Sequence, residues 1–415
     1  MTMWQRLRPF RTRLALLLAI VGPGIITANV DNDAGGITTY SVAGAHYGYS
    51  LLWMMPLVAI ALIIVQEMSA RLGIVTGKGL ADLIRERMGV RITTIIVVLL
   101  VFVNLANTVS EFAGVAASME IFGVSKYISV PLAAVVVWLL IVKGSYKIIE
   151  RVFLVASAIY LAYVASGLIS SPDWSAVGRS MVTPSFNLDV GYVTIFVTII
   201  GTTIAPWMQF YQQSSIVDKG IQVKDYAYER VDVVLGSIFA VFVAAFITIA
   251  CASTIYKSGL SIESAKDAAL ALGPLAGKYA STLFALGLLN ASLFSAAILP
   301  LSTSYTVCEA FGWENSLRRD LKDAPIFFGI YTSLVILGAA IILLPIQSLI
   351  QAMMISQTFN GILLPVILVT MLVLINDKRL MGRYKNGRLF NIIAWSTVVA
   401  LILLAAILIV VTLLP

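Results

Sequence analysis

Hydrophobic runs long enough to cross a bilayer follow one another along this 415-residue chain, separated by short polar connections. About 20 consecutive apolar residues span ~30 Å of hydrocarbon as a helix. Counted that way, the sequence predicts eleven helices near residues 12–46, 50–72, 93–122, 127–143, 147–171, 190–217, 231–256, 275–310, 325–344, 346–376 and 389–414. The composition agrees, with 60% hydrophobic and 12% charged residues against ~25% charge in an ordinary soluble domain. The expected fold class is therefore an all-α polytopic membrane protein without a sizeable soluble domain. A net charge of +7 does not point to nucleic acid, because the basic residues lie between the spans and not in a patch. Cys251 and Cys308 fall inside spans without metal-motif spacing and read as small core residues. Arg6, Arg8, Arg11 and Arg13 precede an apolar run as in a signal peptide, but that run continues into a polar break, so a retained first span is expected.

Orientation follows from where the cations fall. With the N-terminus on the cytoplasmic side, only Lys126, Arg179, Lys257, Lys266 and Lys278 face outward, five of the 28 basic residues. That bias satisfies the positive-inside rule and places the C-terminus outside, in an inner or plasma membrane of prokaryotic type.

Two of the spans are interrupted. The first reads Val30-Asp31-Asn32-Asp33-Ala34-Gly35-Gly36, placing two acids and two glycines at bilayer depth. A carboxylate there is expensive unless a cation or water meets it, and irregular backbone is tolerated only where it lines a cavity. The second, in the sixth span, reads Gly201-Thr202-Thr203-Ile204-Ala205-Pro206-Trp207, where Gly201 loosens the helix and Pro206 cannot donate to it. Interrupted helices at corresponding places in two halves point to an inverted-repeat transporter with its site at the repeat interface. The expected organisation is one transmembrane domain over 1–415, with repeats over about 12–171 and 190–376 and a peripheral helix at 389–414. This arrangement suits a cation site.

Several stretches resemble the Nramp family of divalent-metal transporters. They are Gly22-Pro23-Gly24, Ala43-Gly44-Ala45-His46-Tyr47-Gly48-Tyr49-Ser50-Leu51-Leu52-Trp53, Arg71-Leu72-Gly73-Ile74-Val75-Thr76-Gly77-Lys78-Gly79-Leu80-Ala81, and Asn376-Asp377-Lys378-Arg379-Leu380-Met381-Gly382. The resemblance implies a LeuT-like fold of five plus five helices and no enzyme activity. It places the family's Asp-Pro-Gly-Asn motif on Asp33-Ala34-Gly35-Gly36, keeping the metal-binding acid and losing the asparagine. Its Met-Pro-His motif falls on Ala205-Pro206-Trp207, and its Asp-x-x-Glu pair on Thr108-Val109-Ser110-Glu111. No arginine stands between Pro325 and Leu344, where the family has them. These departures resemble the distant branch of Nramp-related magnesium transporters.

The substitutions carry chemical consequences. A thioether favours soft metals, whereas oxygen-only sites suit Mg2+ and Mn2+. With Ala205 for Met and Gly36 for Asn, the pocket is expected to lose ligands and gain volume, as a partly hydrated Mg2+ would need. Asp33 would hold the ion. The resemblance adds the freed carbonyls near Val30 and Thr202, and Gln357 of the tenth helix. Asp31 is a further candidate ligand. Trp207, Glu111, Asn360 and Thr108 are candidates for the pathway or a gate. No cofactor is expected beyond Mg2+ or Mn2+ as substrate, and the expected partners are that ion and the lipid bilayer, with the chain a monomer. Because the family's His, Asp and Arg are gone, the primary expectation is transport uncoupled from protons. The alternatives are a proton-coupled Mn2+/Fe2+ transporter of the Nramp type, or an organic-cation or amino-acid transporter of the same fold. An intramembrane hydrolase using Asp31 and Asp33 is disfavoured, since paired-Asp hydrolases bring their acids from separate elements.

Overall fold

The computed structural model describes residues 30–144, 157–187, 189–345 and 348–413, whose regular structure is helical, with no strand among them. Leaving single turns aside, the helices are α1 (Ala34–Tyr47), α2 (Met54–Thr76), α3 (Leu80–Ile121), α4 (Lys126–Lys143), α5 (Leu161–Ile169), α6 (Trp174–Val182) and α7 (Val190–Thr203). They continue as α8 (Pro206–Lys219), α9 (Tyr226–Thr254), α10 (Ala265–Ala269), α11 (Ala280–Phe311), α12 (Pro325–Leu343), α13 (Leu349–Asn376) and α14 (Arg388–Leu413). Nine helices or helix pairs among the described residues are long and apolar enough to cross a membrane by length and composition. The first and fifth expected spans run into residues 1–29 and 145–156, which lie outside the described residues.

Most boundaries lie within a turn of expectation, and the third span is the exception. Its helix begins at Leu80 and not near 93, bending at Gly89, whose φ of 81° leaves the helical region. The added stretch buries Leu80, Leu83 and Ile84 and exposes Glu86 and Arg87. An amphipathic turn of that kind carries too much charge to register as apolar. The sixth span breaks where expected: α7 ends at Thr203, and Pro206 opens α8 as its first residue, the one helical position where a missing N–H costs nothing. The short α10 is opened by a capping box between Ser264 and Asp267.

At the centre of the bundle, α3 packs against α11, α13 and α12, while α9 lies on α1 and α2, and α8 on α2 and α11. The rim is apolar and faces outward, as on α3 (Ile95, Leu99, Phe102) and α14 (Leu389, Ile392, Leu403), which is the surface that lipid covers. Two acids, Glu67 and Glu309, are buried within the bundle. Glu67 pairs with Arg71 at 3.0 Å and accepts from the Tyr226 hydroxyl. Arg71 also donates to Asn386 and to the Tyr384 carbonyl. Glu309 accepts from Ser214 Oγ at 2.5 Å. Both acids sit where a neighbouring helix brings a donor. His46, in the last turn of α1, is exposed.

Candidate metal centre

The first break is tight. Val30 and Asp31 are helical, Asn32 and Asp33 leave the helix, and Ala34 restarts it. Asp33 is the N-cap of α1, with extended backbone and its Oδ1 accepting from Gly36 N at 2.6 Å. A carboxylate at that place meets free N–H groups and the positive end of the helix dipole. The backbone then folds over itself. A Cβ on Gly36 would stand 2.7 Å from the Asp31 carbonyl oxygen, 3.2 Å from Thr202 Oγ1 and 3.3 Å from Asp33 Oδ1. Three oxygens from the two broken helices thus converge on one buried point.

This geometry corrects the expectation that glycine at position 36 opens space. The Asp31 carbonyl fills it, and only glycine permits that approach. Gly35 performs a parallel task, since a Cβ there would meet Gln357 Nε2 at 2.0 Å. Gln357 is carried in by a glycine-mediated crossing of α7 and α13. A Cβ on Gly201 would lie 2.1 Å from the Gln357 carbonyl, and one on Gly361 would lie 2.6 Å from the Val197 carbonyl. Small residues let helices approach this closely in membranes.

From there Gln357 Nε2 reaches Asp33 Oδ2 and Oδ1 at 3.4 and 3.5 Å. Its Oε1 accepts from Asn360 Nδ2 at 2.7 Å. Glu111, fully buried on α3, accepts from Ala34 N at 3.2 Å through Oε2, and its Oε1 is buried without a hydrogen-bond partner. Tyr40 OH and Thr203 Oγ1 tie α1 to α7 at 2.7 Å.

Both carboxylate oxygens of Asp31 and the Thr202 hydroxyl are buried without a hydrogen-bond partner. Buried oxygens of this kind are the ones that a bound cation or its water would satisfy. Among the described residues no three His, Cys, Asp or Glu side chains gather to hold a metal. A cation here would therefore lean on carbonyl, hydroxyl and amide oxygens around Asp33, a donor set for hard dications.

The remaining candidates fall in various places. Val30 is a fully buried apolar residue just before the break. Ala205 caps α8, and the Gln209 amide folds back to within 2.7 Å of its carbonyl. Trp207 is buried, with its ring on Tyr211 at 6.3 Å between centroids and its carbonyl accepting from Ser302 Oγ. Thr108 lies on the α12 side of α3: its hydroxyl returns to the Asn104 carbonyl and its methyl fills the space beside Gly338. Sequence reasoning missed two groups, the Asp31 carbonyl and Asn107, which pairs with Asn360.

A model of the family described as natural resistance-associated macrophage protein-like (Nramp) matches residues 24–411 of this chain. The chain belongs to the Nramp family. It is 28% identical over 403 residues to the divalent metal cation transporter MntH of Yersinia pestis (strain Pestoides F), covering 93% of this chain and 92% of that protein. The Yersinia enterocolitica transporter of the same name is 29% identical, with 97% of each chain covered. Among solved structures, the Eremococcus coleocola manganese transporter is similar at a TM-score of 0.77 and 25% identity, over 94% of this chain and 85% of that one. Mhp1, a nucleobase-cation-symport-1 family transporter, superposes at 0.60 with 15% identity, over 95% and 91% of the two chains, a likeness of fold. The Nramp chain described here is thus an integral membrane transporter, not an enzyme.

Proposed function

We propose that this chain moves Mn2+-class divalent cations through the centre between α1, α7 and α13. The observation that carries the reading is the convergence of the Asp31 carbonyl, the Thr202 hydroxyl and the Asp33 carboxylate on one buried point. The name of the similar Eremococcus coleocola manganese transporter speaks for manganese. Mg2+ is the second reading, favoured by donors that are all oxygen and by Ala205 standing where a thioether would select a softer ion. An ion held by so few protein oxygens keeps part of its water shell.

Coupling has two competing readings as well. The loss of the family's His, Asp and Arg supports uptake driven by voltage alone, for which a dication gains ~4.6 kcal/mol per 100 mV, twice the ~2.3 of a single charge. Glu111, buried against the Ala34 N–H next to Asp33, favours the proton-coupled alternative. Two buried carboxyls at one break ionise together only when a cation joins them, so a dication arriving at Asp33 displaces a proton. We take the proton-linked reading.

The experiment is Mn2+ and Mg2+ uptake into liposomes carrying the full chain, with a valinomycin-set inside-negative potential and a trapped pH dye. Mn2+ uptake that Mg2+ competes with, and a lumenal pH change lost in Glu111→Gln, are expected. Uptake without any pH change would return the voltage-driven reading. Transport of neither ion would end the proposal.

A further inference from the structure

Asp33 faces an amide whose orientation the rest of the structure fixes. Gln357 turns its NH2 to the carboxylate and its carbonyl oxygen to Asn360 Nδ2. Asn360 is in turn locked to Asn107 of α3 by a reciprocal pair: Asn107 Nδ2 donates to Asn360 Oδ1 at 2.9 Å, and Asn360 Nδ2 donates to Asn107 Oδ1 at 3.1 Å. All three side chains are buried. Asn107 lies one helical turn from Glu111, so two neighbouring positions of α3 hold the two sides of the same break.

The chemistry of the chain has a direction. A bare carboxylate only accepts, so it demands the N–H of Gln357. A cation on Asp33 demands the opposite, an oxygen facing the ion or its water. Turning Gln357 alone would set its NH2 against Asn360 Nδ2, donor against donor, in a site where an unmet polar group is costly. Turning all three amides together restores every bond: Gln357 Nε2 and Asn107 Nδ2 then donate to Asn360 Oδ1, and Asn360 Nδ2 donates to Asn107 Oδ1.

We propose that Gln357, Asn360 and Asn107 form a three-amide switch in which the Gln357 NH2 holds the cation's place on Asp33 in the empty carrier, and cation arrival turns all three. The proposal rests on the metal-centre reading above and adds Asn107 and Asn360 as positioning residues. It gives α3 a two-state element that ion occupancy biases.

Two aspartates separate this switch from plain electrostatics. Asn360→Asp accepts only, so it holds Gln357 with its oxygen toward Asp33. Asn107→Asp offers Asn360 an oxygen in either orientation, so it fixes neither and reports the added charge alone. Each adds the same charge one side chain apart, yet the switch requires unequal outcomes. Mn2+ binding to the purified full chain should tighten by about tenfold more in Asn360→Asp than in Asn107→Asp, the scale of a hydrogen bond to a charged group. Asn360→Asp should also keep Mn2+/Mn2+ exchange in liposomes while losing net uptake, because the empty form has lost its placeholder. Equal shifts in the two variants would overturn the switch while leaving the metal centre standing.

If an aspartate prevents folding, the unmutated chain labelled with 15N in Asn and Gln side chains answers the question under Mg2+ titration. The three amide signals moving together would support the switch, and Gln357 moving alone would refute it. No response to either ion in the unmutated chain would instead refute the metal-centre reading.

Discussion

Replacing Gly36 with alanine places a methyl group where three oxygens meet, and the size of the effect can be worked out. The new carbon would start 2.7 Å from the Asp31 carbonyl, about 0.7 Å closer than an ordinary contact between such atoms. Backbone cannot rotate away as a side-chain tip does, so the carbonyl must shift by most of that distance. Metal–oxygen distances tolerate only about 0.2 Å, so the carbonyl is lost as a ligand and the methyl occupies the ion's neighbourhood. Loss of an orienting contact around a metal costs about 10–100-fold in affinity, or roughly 1.4–2.8 kcal/mol. Overpacking also costs about 1–3 kcal/mol of stability, which thermal unfolding by intrinsic tryptophan fluorescence measures separately. The assay is equilibrium binding of Mn2+ to the purified full chain at a temperature where both proteins are folded. A folded Gly36→Ala chain that binds Mn2+ as tightly as the unmutated protein would refute the convergent centre. The same reasoning reverses the effect an open pocket would give Gly36→Asn: a larger side chain at that point should weaken Mn2+ binding, not strengthen it.

Asp33→Asn should lower Mn2+ uptake by more than about 100-fold, beyond the usual loss from orienting groups, whereas Asp31→Asn keeps its backbone carbonyl and should lose only about tenfold; equal losses in the transport assay would make both carboxylates ligands. Gly201→Val should cost more than about 3 kcal/mol, because its Cβ would meet the α13 backbone, and an unchanged melting temperature would contradict the close crossing. Arg71→Met should cost about 3–5 kcal/mol by stranding the buried Glu67, and Arg71→Met with Glu67→Gln should recover part of that in the same melting experiment; no recovery would show that Arg71 acts through Asn386 and Tyr384 alone.

The legible part of this molecule was written in hydropathy and in helix breakers. Apolar runs located the spans, Pro206 fixed the start of α8, and Asp33 announced the break of the first helix, because each signal is local. The amphipathic start of α3 was hidden for the same reason, since its charges face away from the bundle and only packing shows that Leu80, Leu83 and Ile84 are covered. Gln357 came through the resemblance, but the crossing that delivers it depends on Gly201 and Gly361, far apart in sequence, meeting across two helices.

Gly36 shows why the rest of the centre resisted reading. As one letter, a glycine in place of asparagine subtracts a ligand and adds volume. In three dimensions it subtracts a side chain so that a main-chain oxygen can come in, exchanging one donor for another. No residue type marks a carbonyl, so a ligand set built on backbone leaves only the glycine as its trace. The amide pair did leave a signal in the spacing. Asn107 and Glu111 are four apart, and Gln357 and Asn360 three apart, so each pair shares a helix face. Polar residues repeating at those intervals inside apolar spans are costly, and the cost is met here because the two faces meet each other at the break.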